Sequence, residues 1–498
     1  MSFTTDIDNT AGTSATAGIT TPEQWRDRLL KMLAARLPRI AKMTAYYRGD
    51  HRMAFTTAQF RETFGALFGS FSDNWCDLVV DASAERLRVD GFRFGEEDAD
   101  DAAWEIWQRN GLDAESDMAH TEAIKLGTAY AFVYPDEENQ AAVQLEAADN
   151  AIVAMDPAQG RKRLAGLRAW QDEWGTLHCG LYLPDAIYYW RRDSDNAPWR
   201  DDEGGGTNPL GIVPLVPLAN APTLSQRLGR SDIERVIPLQ DAVNKLCGDM
   251  IVASEFAAFP QRWATGIEIP TNPATGERMA AQFLGGADRV WAVESTDSKF
   301  GNFAVSDLGI YVRAIEMLIQ HVAAQTRTPP HYLLGSSGNF PSGESLKATE
   351  TGLVAKVRRK MLSFGESWEE VMRLAFAIEG ETAKSELVDV ETIWSNPESR
   401  IVGETVDAAV KLGSIGVPRP ALWEYIGASP QQIARWKVEG EPKPTPALRE
   451  SVTVAATPQQ GEQIALGQTP TGAPVNTAAP APTSPPQPGT PPGGTSGR

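Results

Sequence analysis

The spacing of apolar residues predicts a helix that begins just after residue 20. Thr21 is a suitable N-cap, Pro22 fits the first helical position, and Gln24 stands three residues after the cap, as in a capping box. Apolar residues then recur at helical spacing, at Trp25, Leu29, Met32, Leu33 and Leu37. We expect this helical region to be punctuated by Pro38 and Gly49.

Between residues 86 and 190 the pattern changes to short runs that are typical of strands. In the run 86–94 the alternation shifts register across Asp90-Gly91, which predicts a turn or a bulge. The later runs are Tyr130–Tyr134, Ala142–Leu145, Arg163–Trp170, Leu177–Leu183 and Ala186–Trp190. Their close succession predicts an antiparallel meander. Helices are predicted beside these strands, at residues 74–84, 100–110 and 114–126.

Two long helical patterns bracket a mixed segment in the second half of the chain. The first is predicted over residues 231–258, because Ser231 opens a capping-box pattern and apolar residues follow at steps of three and four. Pro238 is unfavourable inside a helix, so it predicts a kink or a late start. The second helix is predicted from about 306 to 325, and residues 260–304 between the two helices have the pattern of strands and turns.

A third long helix is predicted to begin near Glu344. Its apolar stripe runs for about seven turns, through Leu346, Leu353, Val357, Met361, Phe364, Trp368 and Met372. Basic residues cluster on its first half, and we interpret them as the solvated flank of a core helix: Lys347, Lys356, Arg358, Arg359 and Lys360. A strand and three helices are predicted after it, at 388–394, 398–412, 418–426 and 430–438. The pattern as a whole predicts a helix-rich α+β fold.

The two ends of the chain differ in composition from the rest. Residues 1–20 are rich in Thr, Ala, Asp and Gly, and Pro, Thr, Ala, Gly and Gln dominate from residue 441 onward. Such segments bury too little apolar surface to offset their ordering entropy, so we expect 1–20 and 441–498 to be disordered. The first 20 residues lack a signal-peptide pattern, and no apolar run approaches the roughly 20 residues that a bilayer requires. We therefore expect a soluble protein with no membrane partner.

Charge bears on the question of nucleic-acid binding. The chain has 65 acidic and 46 basic residues, a formal net charge of −19. Proteins that grip DNA phosphates normally present a basic face, because Lys and Arg release counterions from the duplex. An acidic surface suits a conduit along which DNA slides without sticking, and the alternative is simply a soluble acidic protein, since net charge bears on solubility.

The sequence offers little catalytic or metal-binding chemistry. Cys76, Cys179 and Cys247 lack CxxC spacing, so we expect buried thiols, and the five histidines are dispersed without an HExxH pattern. Neither GxxxxGK[ST] nor GxSxG occurs, and the paired acids, such as Glu369 with Glu370 or Asp98 with Asp100 and Asp101, are interpreted as solvated charges. We expect no enzyme activity, no catalytic residue, no cofactor and no metal.

A polar loop rich in Gly and Ser separates the second and third long helices, within residues 329–347. Loops this long inside compact domains are uncommon and usually functional. A flexible connector between stiff helices indicates a moving part presented to a large partner. The loop's small, uncharged and glycine residues, with one aromatic, are Ser336, Ser337, Gly338, Asn339, Phe340, Ser342 and Gly343, and Lys347 follows at the start of the third long helix.

Three stretches carry a resemblance to a known family. They are Tyr46-Tyr-Arg-Gly-Asp-His51, the run from Gly229 to Lys245, and the run from Thr326 to Lys347. In this order and spacing they resemble the portal proteins of tailed double-stranded-DNA bacteriophages, particularly the siphovirus type found in phages of actinobacteria. The resemblance covers most of residues 22–440.

The resemblance implies the phage portal fold, with wing, stem, clip and crown regions, assembled as a ring. Residues 21–230 would form the wing, from helices and antiparallel strands, and 231–258 and 305–327 would be the two stem helices. The remaining regions would be the clip at 259–304, the tunnel-loop region at 328–345, the long wing helix and return strand at 346–395, and the crown helices at 396–440.

The resemblance also implies a function. A ring of twelve copies would occupy one capsid vertex, where double-stranded DNA passes non-specifically during packaging and ejection. The residues from Ser336 to Gly343 would form the DNA-channel loop, which small uncharged side chains and flexible glycines suit because they can follow DNA without trapping it. Lys347 would be the leading candidate to touch phosphate, with an ordinary exposed helix lysine as the alternative. The ring would dock the terminase large subunit and later head-tail adaptor proteins, and would meet the major capsid and scaffolding proteins. It would assemble in the host cytoplasm and end in the virion. The alternative is another virion structural protein, such as an adaptor or a capsid-associated protein, without a DNA channel.

Overall fold

The computed structural model describes residues 19, 21–51, 72–95, 99–194, 196–258, 262–266, 273–276, 297, 299–302, 307–334, 343–398 and 402–439. Its helices, labelled here in chain order, begin with α1 Pro22–Arg48, α2 Cys76–Ala84, α3 Asp101–Arg109, α4 Leu112–Leu126, α5 Ile237–Ala258 and α6 Gly309–Thr326. They continue with α7 Pro330–Leu333, α8 Gly343–Ile378, α9 Thr382–Ser385, α10 Val402–Ser414, α11 Arg419–Tyr425 and α12 Pro430–Glu439. Among the residues just given, no helix is long and apolar enough to cross a bilayer.

The strands form four antiparallel sheets in the described ranges. β1 Val89–Phe94 pairs with β13 Val390–Trp394, and β11 Arg262–Thr265 pairs with β12 Lys299–Asn302. β2 Thr128–Pro135 lies between β3 Ala141–Glu146 and β10 Leu215–Ala219. The largest sheet is a meander of β4 Ala151–Met155, β5 Arg163–Gln171, β6 Leu177–Tyr182 and β7 Ala186–Arg192, with β8 Arg200–Asp201 and β9 Gly206–Thr207 both paired to β7. The α+β prediction and the predicted meander are confirmed.

The first helix starts as the sequence predicts. The Thr21 side chain accepts a hydrogen bond from the Gln24 N–H, and the Gln24 side chain accepts one from the Thr21 N–H. Pro38 lies inside α1 without ending it, and Gly49 closes the helix in the left-handed conformation with φ of 75°. The capping box therefore sets the start of α1, and Gly49 sets its end.

The predicted irregularity at Asp90-Gly91 is a β-bulge. Val89 pairs with Trp394 and Gly91 pairs with Ile393, so the register shifts by one residue between them. A bulge of this kind locally bends a strand and increases its twist. The short sheet that results packs against α8.

Helix α8 is the centre of the larger core. It packs against β2, β3, β10 and β13, and its apolar stripe is buried as predicted from Leu353 to Met372. The Trp368 ring meets Trp107 edge-on with centroids 5.0 Å apart, and Phe94 meets Phe376 in the same way at 5.0 Å. Large aromatic side chains bury much apolar area each, and edge-to-face pairs add further stabilisation.

A smaller core lies between the meander and the first half of α1. Its most buried members are Leu29, Leu33, Ile152, Ala165, Leu167, Cys179, Leu181 and Trp190. The Arg26 guanidinium lies 4.8 Å from the Trp190 ring centroid and covers one side of this cluster. α1 thus joins both cores, since Met43 and Tyr46 near its end belong to the larger one.

The predicted start of the first long helix at Ser231 is wrong. Helix α5 begins at Ile237, which places Pro238 at its second residue, where a proline costs little. The Ser231 hydroxyl accepts a hydrogen bond from the Ile233 N–H within a turn and does not cap a helix. The late start that Pro238 predicted is therefore the correct alternative.

Candidate DNA-channel loop and its anchors

The loop predicted to face DNA is bounded by α7 and α8. Most of its predicted contact residues lie outside the described residues and stay a prediction: Ser336, Ser337, Gly338, Asn339, Phe340 and Ser342. Gly343 is the first residue of α8, and Lys347 lies about one turn further along with a half-buried side chain. The structure therefore describes the two ends of the loop, at Leu334 and Gly343.

The chain turns sharply between α6 and α7, just before the loop. Arg327 has φ of 57°, a left-handed conformation that few non-glycine residues adopt, and its N–H donates to the Ala323 carbonyl. The Thr326 hydroxyl donates to the Val322 carbonyl at 2.7 Å and lies 2.9 Å from the Thr328 hydroxyl. Both threonines are buried. These bonds close α6 and fix the direction in which the chain leaves it.

One arginine connects the segments on the two sides of the loop. Arg86 Nη2 donates to the Tyr332 hydroxyl at 2.6 Å, in α7 before the loop. Arg86 Nη2 also lies 3.4 Å from Glu350 Oε1, in α8 after the loop, and the Tyr332 hydroxyl lies 3.3 Å from that oxygen. Arg86 Nη1 donates to the Pro397 carbonyl at 2.7 Å. We call Arg86, Tyr332 and Glu350 the root clamp.

The root clamp is largely shielded from water. The side chains of Arg86 and Glu350 are 13% and 12% exposed, so salt screens their attraction less than that of a surface pair. Hydrogen bonds to charged groups are shorter and stronger than neutral ones. The loop consequently begins and ends at points that are fixed relative to each other.

The sequence alone did not indicate Arg86. It is 246 residues from Tyr332 along the chain, just after α2, and its own neighbours give no sign of a distant partner. Only the fold brings it to the loop. Tyr332 was part of the loop segment singled out from the sequence, although its role there was not.

A second buried cluster joins α8 to the segment that precedes α5. Asp232 Oδ2 lies 2.9 Å from both Lys356 Nζ and Lys360 Nζ. Asn220 Nδ2 donates to Asp232 Oδ1 at 2.9 Å, and Lys360 Nζ also donates to Asn220 Oδ1. The prediction of a solvated basic flank is wrong for these two lysines, whose side chains are 15% and 3% exposed.

The cluster holds its charges at neutral pH. Burial by itself raises the pKa of a carboxyl, but Lys356 and Lys360 outweigh burial and hold the pKa of Asp232 well below its usual range. Burial lowers the pKa of Lys360 to about 8, because Asp232 offsets only part of the desolvation cost. Removing one partner of such a buried pair costs roughly 3–5 kcal/mol, so the cluster specifies how α8 docks.

Gly229 explains how Asp232 reaches this position. Its φ is 81°, and a Cβ there would lie 2.3 Å from the Gly127 carbonyl oxygen and 2.6 Å from the Asn220 carbonyl oxygen. Asn220 also accepts a backbone hydrogen bond from Arg230 at 2.9 Å. Because only glycine fits this close approach, the run that starts at Gly229 can fold back and place Asp232 against α8.

The paired acids of the sequence have structural partners in the fold. Asp100 caps α3 by accepting a hydrogen bond from the Ala103 N–H at 2.9 Å. Glu370 lies 2.6 Å from the buried Arg163, and Glu369 accepts a hydrogen bond from a backbone N–H of β13. The interpretation of these three carboxylates as simply solvated is therefore wrong. Among the residues that the structure describes, no group of three or more His, Cys, Asp or Glu could hold a metal ion.

Known proteins share much of this sequence. Residues 26–443 match the family described as "Phage portal protein, SPP1 Gp6-like". The portal protein of Mycobacterium phage D29 is 30% identical over 443 residues, which cover 84% of this chain and 90% of that protein. The portal protein of Mycobacterium phage L5 is 32% identical over 384 residues, which cover 73% and 78%.

A more distant likeness extends to solved structures. The neck of the native gene transfer agent particle, computed with C12 symmetry, is 12% identical and covers 76% of this chain and 95% of that chain, with a TM-score of 0.43. Family membership rests on the sequence matches, which span most of the chain. The chain therefore belongs to the phage portal protein family, whose members are structural proteins that form the DNA channel at the capsid vertex.

Proposed function

We propose that the chain assembles into a closed ring of twelve copies, in which the loop 336–343 of each copy faces the DNA. The observation that carries this proposal is the root clamp. A segment of small, uncharged residues and glycines can follow a moving duplex only if its two ends stay in place, and Arg86 holds both ends through Tyr332 and Glu350. The loop residues themselves offer DNA no charge to bind.

Lys347 has a separate role in this proposal. It lies on the first turns of α8, next to the loop, and it is the basic residue of that helix nearest to the loop. We assign it the phosphate contact, which positions DNA without reading its sequence. One lysine per copy is enough to centre a duplex and too few to hold it against the packaging motor.

The segment 259–304 is proposed to dock the terminase large subunit during packaging and head-tail adaptors afterwards. α5 and α6 pack against each other, and β11 and β12, which lie between them in the sequence, pair with each other. These two contacts of the described residues support the proposal. ATP hydrolysis would belong to the terminase, and assembly would take place in the host cytoplasm beside the capsid and scaffolding proteins.

On this proposal the other regions keep the family's division. Residues 21–230 form the wing, 231–258 and 305–327 the stem, 346–395 the long wing helix and return strand, and 396–440 the crown. The described residues support it in one respect, because α10, α11 and α12 pack successively against each other as a small group of helices. The β1–β13 sheet joins the wing segment to the strand that follows α8.

The test is site-specific cross-linking of the loop to DNA. Cys76, Cys179 and Cys247 are buried, and burial raises the pKa of their thiols to about 12, 12 and 11, so they react poorly with maleimides. A Ser337→Cys variant would carry a photoactivatable maleimide and be assembled into heads caught during packaging. Irradiation is expected to join the loop to DNA without sequence preference.

The matched control is Glu173→Cys, at an exposed position in the turn between β5 and β6, which lies in the proposed wing. It should give no DNA adduct. Equal adduct formation at both positions, or none at Ser337→Cys in heads that contain DNA, would contradict the proposed place of the loop.

A further inference from the structure

A cavity with a strongly cationic lining lies between the end of α6 and the first half of α8. It has a volume of about 190 Å³ and is bounded by the segment before α5, the end of α6 and the first half of α8. Its lining includes four arginines and two lysines, Arg230, Arg235, Arg327, Arg359, Lys356 and Lys360, but only one acid, Asp232. We call it the cationic cavity.

The one acid in the cavity lining, Asp232, already pairs with two lysines. Asp232 is within 2.9 Å of both lysines, so it cannot also neutralise the arginines. Throughout the described ranges, none of the four arginines has an ion pair with a carboxylate. Arg235, Arg327 and Arg359 are exposed, and Arg230 is half-buried. The cavity therefore holds an excess of positive charge in a chain whose formal net charge is −19.

Such a cluster is costly unless an anion occupies it. Arginine stays protonated at all physiological pH values, so the four guanidinium groups cannot relieve their repulsion by losing a proton. Arg230 is half-buried and repels the buried Lys360, so at least this repulsion is screened less than on an open surface. Guanidinium groups bind oxygen anions such as carboxylate and phosphate with two parallel hydrogen bonds. The chemistry of the site thus selects an oxygen anion.

The number of arginines favours a carboxylate over DNA phosphate. Lys and Arg contacts to phosphate supply essentially all of the non-specific affinity for DNA, and DNA-binding proteins typically make about 6–10 of them. A ring that offered the duplex four arginines from every copy would exceed that number several times and would oppose translocation. The buried position of Lys360 at the base of the cavity also suits a flexible Asp or Glu side chain better than a rigid duplex.

We infer that the cationic cavity receives acidic side chains of the neighbouring copy in the ring. The inference rests on the proposed ring, in which each copy presents one surface to the copy before it and a different surface to the copy after it. The large acidic excess of the chain supplies carboxylates for the second surface. Because Arg327 closes α6 and Arg359 lies on α8, this contact would tie these two helices of one copy to the next copy.

The test uses rings assembled from an equal mixture of ¹⁴N- and ¹⁵N-labelled chains. Arg235→Lys and Arg359→Lys variants provide amines, and a carbodiimide condenses an amine with a touching carboxylate into an amide with net loss of water. Mass spectrometry then separates peptide pairs with mixed labels, which join two copies, from pairs with matched labels. We expect mixed-label pairs between positions 235 or 359 and an acidic residue of the other copy.

The control is Arg161→Lys, because Arg161 lies 3.2 Å from Glu366 of the same chain. It should give a pair with Glu366 whose labels always match. Matched-label pairs alone from 235 and 359, or no pairs from them in rings that do form, would overturn the inference and leave the proposed ring standing. Failure of every chain to form a ring in native mass spectrometry would instead refute the ring itself.

A second readout needs no variant. Phenylglyoxal modifies accessible arginines, and ring assembly is expected to reduce modification of Arg235 and Arg359 several-fold, while added duplex DNA should cause no further decrease. Protection that appears only when DNA is added would assign the cavity to phosphate and overturn the inference.

Discussion

His120 lies in an environment that disfavours its charged, doubly protonated form. It is fully buried, its Nε2 accepts a hydrogen bond from Trp368 Nε1 at 2.9 Å, and its ring stacks on Phe364 with centroids 5.1 Å apart. Burial lowers the pKa of His120 to about 3. The imidazole is therefore neutral in the folded protein and acts as the acceptor that satisfies a buried tryptophan N–H.

This predicts a specific loss of stability in acid. With an unfolded pKa near 6.5, the unfolded chain binds a proton at this site between about pH 6.5 and 3 that the folded chain does not. Folding stability should fall as pH drops through this window, by up to about 1.4 kcal/mol per pH unit from this residue. Urea unfolding between pH 7 and 4.5 measures it, and His120→Gln, which keeps an acceptor, should show a shallower slope. Identical slopes would contradict the prediction.

Gly229 gives the second prediction at this scale. Gly229→Ala would drive a Cβ into two carbonyl oxygens at 2.3 and 2.6 Å and should cost more than about 3 kcal/mol, since the backbone itself must move. Gly211→Ala is the matched control. Gly211 also has a positive φ, 65°, but open space around it, so the change should cost only about 1 kcal/mol. Equal midpoints in urea for the two variants would show that the close approach is not required.

The sequence predicted the interactions of single residues correctly where the two partners are close together along the chain. The hydrogen bonds between Thr21 and Gln24 span three residues, so the capping box could be recognised directly. Lys360 was misassigned because Asp232 is 128 residues away, and no periodicity within α8 distinguishes a solvated lysine from one that meets a distant carboxylate. A charged residue on a helix face can be assigned as solvated or buried only when the segment that packs against that face is known.

At the scale of elements, the root clamp predicts how the loop region moves. Arg86→Gln leaves the Glu350 carboxylate, 12% exposed, without its cation and should cost about 2 kcal/mol. Backbone amides of residues 331–334 and 343–350 should exchange hydrogen faster, because α7 and the start of α8 would no longer be held together. Hydrogen exchange with mass spectrometry measures both segments.

Arg88→Gln is the neighbouring control. The Arg88 side chain is 77% exposed and pairs with Asp90 at 3.3 Å, so its loss should cost under about 1 kcal/mol and leave exchange near the loop unchanged. If the amides of residues 331–334 and 343–350 exchange equally slowly in both variants, Arg86 does not control the loop.

Elements were predictable in type more than in boundary. The bulge in β1 and the strands of the meander follow from period-two patterns that a sheet enforces. The start of α5 was misplaced because Ser231 and Glu234 have the spacing of a capping box, whereas the proline at 238 fits only near a first turn. When two local signals conflict, the steric one decides, since a misplaced proline costs more than an unused cap.

At the scale of the whole molecule, the family could be recognised before the fold was known. Three separated stretches carried that likeness, and matches over most of the chain confirm it. The candidate site was harder to predict from the sequence. The root clamp combines α7, α8 and the residue Arg86 just after α2, and the cationic cavity combines the segment before α5, the end of α6 and α8. Sites of this kind depend on packing that no single stretch encodes.

If the chain forms a closed ring around DNA, we expect the ring to be retained by encircling the duplex and not by attraction to it. The net charge of −19 per copy gives the duplex little electrostatic hold, so a ring should stay on DNA because it encircles it. Subunits assembled in the presence of covalently closed circular DNA are expected to remain bound at about 1 M salt, where electrostatic contacts are screened. Rings assembled first and then mixed with the same circle should wash off.

A single restriction cut should then release the trapped DNA, because rings can slide off a linear end, and a sucrose gradient before and after cutting measures this. Retention after linearisation would mean that the protein grips DNA through charge. Release by salt alone from the intact circle would mean that no closed ring surrounds it. A continuous ring with an open, weakly binding bore should therefore resist salt on circular DNA and release the DNA after it is cut. A DNA channel at a capsid vertex requires such a bore.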